Sequence, residues 1–231
     1  MGLYRSRILP WLVDKGTSHP SLVDLRGELL AEAHGTVLEI GFGPGGSLPH
    51  YGAIDRLYAL EPEPGMLRRA RRRLRQAPFP VQLVRARAER LPFQDQTLDT
   101  VVSVFSLCSM VSVGRVLHEV QRVLRPEGTF LFLEHGRAHD FFTAQWQRRL
   151  APVQRFLFGC RSDLPVDRHV MEAGLRLDHL DRILLGDGPA LTAQLYRGIA
   201  RLPDARSMTV LAPERAEAPV YDRPVRAALA R

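Results

Sequence analysis

Gly41, Gly43 and Gly46 follow the apolar run Val37-Leu38-Glu39-Ile40 at the spacing G-x-G-x-x-G, and Glu61 closes a second apolar run about twenty residues further on. Glycines so placed allow positive φ torsions and let a ligand approach the backbone more closely than a Cβ permits. A carboxylate at the end of the next strand can accept from two vicinal ribose hydroxyls, each bond worth about 1.5–3 kcal/mol because the acceptor is charged. The chemistry that suits these residues is the gripping of a nucleoside. The glycine spacing by itself fits a dinucleotide equally well, and a helix starting after it, expected over 46–51, would present unpaired N–H groups to negative charge. Glu39 has two readings, as a ligand to the cofactor or as an acceptor for the glycine-loop amides. Asp99 reads as a strand-start support rather than a base.

These residues need a scaffold, and the chain alternates β-branched apolar runs with helical patterns almost throughout, the signature of a mostly parallel sheet with helices on both faces. Strands are expected at 36–40, 57–60, 81–84, 100–104 and 129–133. Helices are expected at 64–76 and 113–124, the latter with Val113, Val116, Leu117, Val120, Val123 and Leu124 on one face. Pro126 and Gly128 then stop it. Beyond Glu134, helical patterns cover 141–158 and 166–173, and two last strands, 175–185 and 190–199, flank Gly186–Pro189 as an antiparallel hairpin at the sheet edge. Residues 203–231 show no period and read as a poorly ordered or loosely docked tail.

The chain has 231 residues, enough for one α/β domain, taken as 1–202, and too few for two. Its net charge is +7, but Lys15 is the only lysine among 32 basic residues, a bias of composition rather than a designed phosphate surface. Six arginines between Arg68 and Arg75 read as a solvated helix face. Cys108 and Cys160, with no secretory pattern, suggest reduced thiols in a cytoplasm, and they read as small core residues rather than a metal site. No segment is long and apolar enough to span a bilayer. Residues 1–30 are expected to form lid helices over a pocket; the apolar start, interrupted by Pro10, also fits an interfacial membrane helix, which is not favoured.

Downstream of the glycines stand Ala88-Glu89-Arg90-Leu91-Pro92-Phe93, Asp99, and Leu124-Arg125-Pro126-Glu127-Gly128. Together with Glu39 and the glycine loop, this ordered series resembles the class I S-adenosylmethionine-dependent methyltransferases over about residues 36–134. The resemblance implies a doubly wound, seven-stranded Rossmann-like α/β sheet of order 3-2-1-4-5-7-6 with a C-terminal antiparallel hairpin, and S-adenosylmethionine as cofactor, with no metal. It implies that Gly41, Phe42, Gly43, Pro44 and Gly45 lie along the methionine part and that Glu61 holds the ribose. Pro62, Glu63 and Met66 would flank the adenine, Ala88 and Glu89 would approach its edge, and Ser106 and Leu107 would face the transferable methyl. Many relatives carry Asp where this chain has Arg87, which leaves adenine recognition to backbone groups.

Phe105-Ser106-Leu107-Cys108-Ser109, Leu133-Glu134-His135, Gln145-Trp146-Gln147 and Phe158-Gly159-Cys160 extend the similarity to the methyltransferase-like thiol methyltransferases associated with animal membranes. This implies a small lipophilic methyl acceptor, with a thiol favoured. A quinone-precursor C- or O-methyltransferase and a phospholipid or amine N-methyltransferase are the enzyme alternatives. An RNA-binding or noncatalytic module is the alternative of another class, motivated only by the +7 charge, and no nucleic-acid partner is expected. A thiol ionises near neutrality, whereas an amine, phenol or carbon nucleophile wants a base. His135 is the candidate base, with packing as its other reading, and Cys108 is a candidate pocket participant. Phe142, Trp146 and Phe158 read as the apolar wall of a lid.

Overall fold

The computed structural model describes residue 4 and residues 8–186 and 191–203. Five parallel strands, β1 (Thr36–Ile40), β2 (Arg56–Leu60), β3 (Val81–Val84), β4 (Leu98–Val104) and β5 (Leu124–His135), are followed by the antiparallel pair β6 (Arg176–Leu184) and β7 (Gln194–Arg201). The seven form one sheet in the order β3-β2-β1-β4-β5-β7-β6, as the family resemblance implies. The order reverses between β1 and β4, the neighbours on either side of the switch point, so the crevice for a ligand opens beyond their carboxyl ends.

Successive strand residues point to opposite faces, and the core divides accordingly. Leu38, Ile40, Val101, Phe130 and Phe132 pack on one face under α4 (Val113–Val123) and α6 (Val166–Glu172). Val37, Val102, Val104, Leu131 and Leu133 pack on the other under α2 (Pro20–Leu30) and α3 (Pro64–Leu74). On α4 the buried positions are Val113, Val116, Leu117, Val120 and Val123, the 3–4 spacing read from sequence.

Two expectations fail locally. The helix expected over 46–51 is a single 3-10 turn, Leu48–His50, because Gly45 and Gly46 resist helix formation and Pro49 offers no N–H to extend it. At the amino end, Pro10 does not interrupt a helix but lies in the first turn of α1 (Leu9–Gly16), where its missing N–H costs nothing. The expected tail from 203 onward, after its first residue, and the expected turn over Gly186–Pro189, after Gly186, lie outside the described residues.

Between β5 and β6 the chain carries an additional helix, α5 (Phe141–Phe158), capped by the Asp140 carboxylate accepting from the Thr143 amide at 2.8 Å and ended by Gly159 at φ 75°. The arginine cluster on α3 is a largely exposed face from which Arg69 and Arg73 reach partners on other elements. Arg73 donates to the Pro44 carbonyl at 2.9 Å and pairs with Asp14 of α1 at 2.9 Å, and Arg69 pairs with the same Asp14 at 2.8 Å. These bonds tie α1 and α3 to the glycine loop.

Candidate functional site

The loop after β1 adopts positive φ at Gly41 (67°), Gly43 (58°) and Gly45 (77°). A Cβ on Gly41 would stand 2.4 Å from the Ser106 Cβ, so the loops after β1 and β4 touch at this point. A Cβ on Gly43 would meet only the Gly41 carbonyl at 3.7 Å and otherwise projects into open space, which a ligand can enter. The Phe42 side chain turns into the core and packs beneath Gly45, leaving only its backbone to the loop. Arg26 of α2, itself buried, donates to the carbonyls of Gly46 (3.3 Å) and Thr17 (2.9 Å) and braces the loop from behind.

Glu61 is 6% exposed and receives one backbone donor on each oxygen, Gly43 N–H on Oε2 (2.9 Å) and Glu63 N–H on Oε1 (2.8 Å). Burial raises its pKa from the ordinary value, against the pull of the two amides. Each carboxylate oxygen has a second lone pair, so Glu61 retains acceptor capacity for two hydroxyl donors beside the space over Gly43. The residues present therefore fit the ribose of a nucleoside. They fit a pyrophosphate less well, since a lone 3-10 turn replaces the helix N-terminus on which a dinucleotide would rest it.

Glu39 is buried, and its carboxylate accepts from the Tyr51 hydroxyl (3.0 Å) and from Ser47 rather than from the loop amides. Burial, only partly offset by those hydroxyls, pushes its pKa up to about 7. Asp99 supports the strand start as expected, taking the Thr36 amide at 2.8 Å and pairing with Arg125.

A third buried acid organises the loop after β4. Glu134, fully buried at the end of β5, accepts from Ser103 Oγ (2.6 Å) and from the backbone amides of Ser106 (2.9 Å), Leu107 (3.0 Å) and Cys108 (3.5 Å). Burial raises its pKa while those donors lower it. The amides of Ser106 and Leu107 are thereby committed to Glu134, and the Leu107 side chain enters the core instead of facing a ligand. Ser106 remains at the site through its contact with Gly41.

His135 follows Glu134 and tilts against the Phe105 ring, centroids 4.7 Å apart; desolvation lowers its pKa to about 4, so the imidazole is neutral at physiological pH. Cys108 is buried with its thiol 3.6 Å from the Phe105 carbonyl. Its hydrogen bond to Cys160 and its burial push that thiol well above the ordinary range, so it is protonated at neutral pH and packs rather than attacks. Among the described residues no group of three or more His, Cys, Asp and Glu is placed to hold a metal.

Ala88 is buried beside the sheet, and Glu89 accepts from the Val111 amide at 3.1 Å and pairs with Arg87 at 3.5 Å. Burial works against Glu89, yet these partners hold its carboxyl below the usual range. Pro62 is exposed and Met66 half-buried at the start of α3, next to Glu61. Of the residues that build the site, sequence reasoning missed Arg26, Arg73, Tyr51 and the bracing role of Glu134. The last had a signal: Glu134 ends the apolar run of β5 much as Glu61 follows that of β2.

A methyltransferase domain model matches residues 38–132. The chain is 34% identical over 130 residues to the human thiol S-methyltransferase TMT1A, covering 54% of this chain and 53% of that protein. It is 31% identical over 160 residues to the phosphatidylethanolamine N-methyltransferase of Cereibacter sphaeroides, covering 68% and 77%. The chain thus spans about half the length of the thiol methyltransferase and over three quarters of the lipid enzyme. Among solved structures, a SAM-dependent methyltransferase from Thermotoga maritima superposes with a TM-score of 0.60 at 19% identity, covering 84% of this chain and 93% of that one, a likeness of fold.

Proposed function

The chain belongs to the class I S-adenosylmethionine-dependent methyltransferases, and from that premise we propose that it methylates a small lipophilic acceptor, with a thiol as the preferred nucleophile. S-adenosylmethionine, when bound, supplies an electrophilic methyl on a sulfonium. The work left to the protein is to hold the nucleophile in line and keep water out. In this reading Glu61 takes the ribose hydroxyls, and the backbone from Gly41 to Gly45 lies along the methionine portion. Pro62, Glu63 and Met66 flank the adenine, Ala88 and Glu89 approach its edge, and the Ser106 side of the post-β4 loop borders the methyl. Glu39 and Glu134 brace the two loops without touching the ligand.

The observation that carries the choice of acceptor is the similarity to the human thiol S-methyltransferase TMT1A, and the packing of His135 on Phe105 agrees with it. A base with pKa about 4 is poorly matched to deprotonating an amine or phenol at neutral pH, whereas a thiol supplies its own anion. A lipid amine is the second reading, favoured by the similarity to the phosphatidylethanolamine enzyme.

Calorimetric titration with S-adenosylmethionine, S-adenosylhomocysteine and NADH, followed by turnover with thiol, phenol and amine acceptors, tests it. Binding of the first two, none of NADH, and thioether product are expected. Product from amines alone would overturn the thiol assignment. Glu61→Ala should weaken the sulfur nucleosides by about 2–4 kcal/mol, roughly 30- to 1000-fold, and unchanged affinity would refute the ribose role.

A further inference from the structure

The helix α5 is built inside out. Its one fully buried side chain is Gln147, whose amide accepts from Ala138 N–H (2.8 Å) and donates to the carbonyls of Gly136 (3.2 Å) and Leu191 (3.0 Å). No α5 residue belongs to either layer of the core, and α6 already covers the sheet in this crossover. The apolar residues face solvent instead: Phe142 is 76% exposed, Trp146 52%, Val153 54% and Phe156 72%. With Arg149 they fall at steps of four and three residues, one continuous stripe from Phe142 to Phe156, about 21 Å of the helix. Phe142, Trp146 and Phe158, expected as the apolar wall of a lid, are half to three quarters exposed.

We propose that this outer face of α5 docks on an anionic lipid bilayer. Residues 141–158 contain Arg148, Arg149 and Arg155 and no acid, and the Arg149 guanidinium lies over the Trp146 ring at 5.6 Å. Aromatic rings at the headgroup boundary with arginines at the phosphates are the composition of a helix that lies in the interface plane. Charge selects the occupant: a second copy would bring the same arginine row to an equally basic chain, whereas an anionic surface neutralises it. The Tyr4 hydroxyl bonds to the Leu157 carbonyl, so Tyr4 lies at the carboxyl end of the same helix. Docking there sets the post-β4 loop close to the lipid, because Arg155 contacts the Met110 carbonyl at 3.5 Å and Cys160 touches Cys108. No helix among the described residues can cross a membrane, so the contact is peripheral.

The proposal stands on the surface alone and is tested without catalysis. The full chain is sedimented with vesicles of phosphatidylcholine, pure or mixed with phosphatidylglycerol. Trp11→Phe leaves Trp146 as the sole indole reporter. Expected are co-sedimentation with the anionic vesicles, weakened by salt, and a blue shift of Trp146 emission. Phe142→Ser with Phe156→Ser should lower partitioning about tenfold or more per ring removed while leaving the melting temperature unchanged. Absence of binding to either vesicle, or binding unaffected by the serine variants, would overturn the proposal. So would vesicle-free self-association in ultracentrifugation that the same variants abolish, since that would identify a second copy as the occupant.

Discussion

Replacing Glu39 by Gln should change how stability responds to pH more than how much stability there is. The carboxyl is 2% exposed beneath the glycine loop, and its pKa stands at about 7 in the folded protein against an ordinary 4.5. A carboxyl whose folded pKa is raised favours the fold while protonated. Its contribution is complete below about pH 4.5 and is lost as pH rises through about 7. The gap of about 2.5 pH units corresponds to ~3.4 kcal/mol, of which about 2.5 kcal/mol falls between about pH 5 and about pH 8. Gln keeps an acceptor for Tyr51 and Ser47 but cannot ionise. Urea unfolding of both proteins across this range should therefore show the variant gaining about 2.5 kcal/mol on the parent between the acid and alkaline ends, or about 5–10 °C in melting temperature. The difference between the two curves cancels the titrating groups that do not interact with Glu39. Parallel curves would refute the reasoning and mean that water or rearrangement solvates the Glu39 charge.

Three further outcomes are expected. Gly41→Ala should destabilise more than Gly43→Ala: both impose a left-handed torsion costing about 1–2 kcal/mol, but only the first drives a Cβ to 2.4 Å from Ser106. Calorimetry should then show Gly43→Ala folding nearly normally yet binding S-adenosylhomocysteine poorly, and intact binding would remove the glycine loop from the site. Glu134→Ala should cost about 2–5 kcal/mol in urea unfolding, because it strands the Ser106 and Leu107 amides and removes an acceptor from the Ser103 hydroxyl, and a loss below about 1 kcal/mol would show the amides rebonded elsewhere. His135→Asn should leave the shape of the pH profile of kcat/KM unchanged from about pH 6 to about pH 8, since the imidazole is already neutral there; disappearance of an ionisation in that range would make His135 a base after all.

The strands, the apolar face of α4 and an acid held against the glycine loop after β2 were legible before any coordinates. Alternation of period two assigns Val37 and Leu38 to opposite faces without knowledge of what covers them, and turn glycines carry their torsional requirement in their identity. Glu61 is legible as a site candidate from its place after such a loop, but its burial and its bonds to the Gly43 and Glu63 amides, a structural use as well, were not. The local failures occurred where short-range signals compete. Gly45, Gly46 and Pro49 reduce a helix to one turn, and Pro10, read as a breaker, serves as a first-turn residue.

Tertiary structure alone decided the partners of the buried groups. Nothing within a few residues of Arg26 marks it as a brace for Gly46, 20 positions away, and nothing near Glu134 pairs it with amides 26–28 positions earlier. Ionisation follows the same rule: the pKa of Glu39 rises because neighbours distant in sequence bury it, and that of His135 drops as it is desolvated against Phe105. The orientation of α5 was also beyond the sequence. Periodicity reveals that a helix has an apolar stripe, but whether that stripe meets the core or solvent depends on what the rest of the chain leaves uncovered, and here α6 had already covered the sheet.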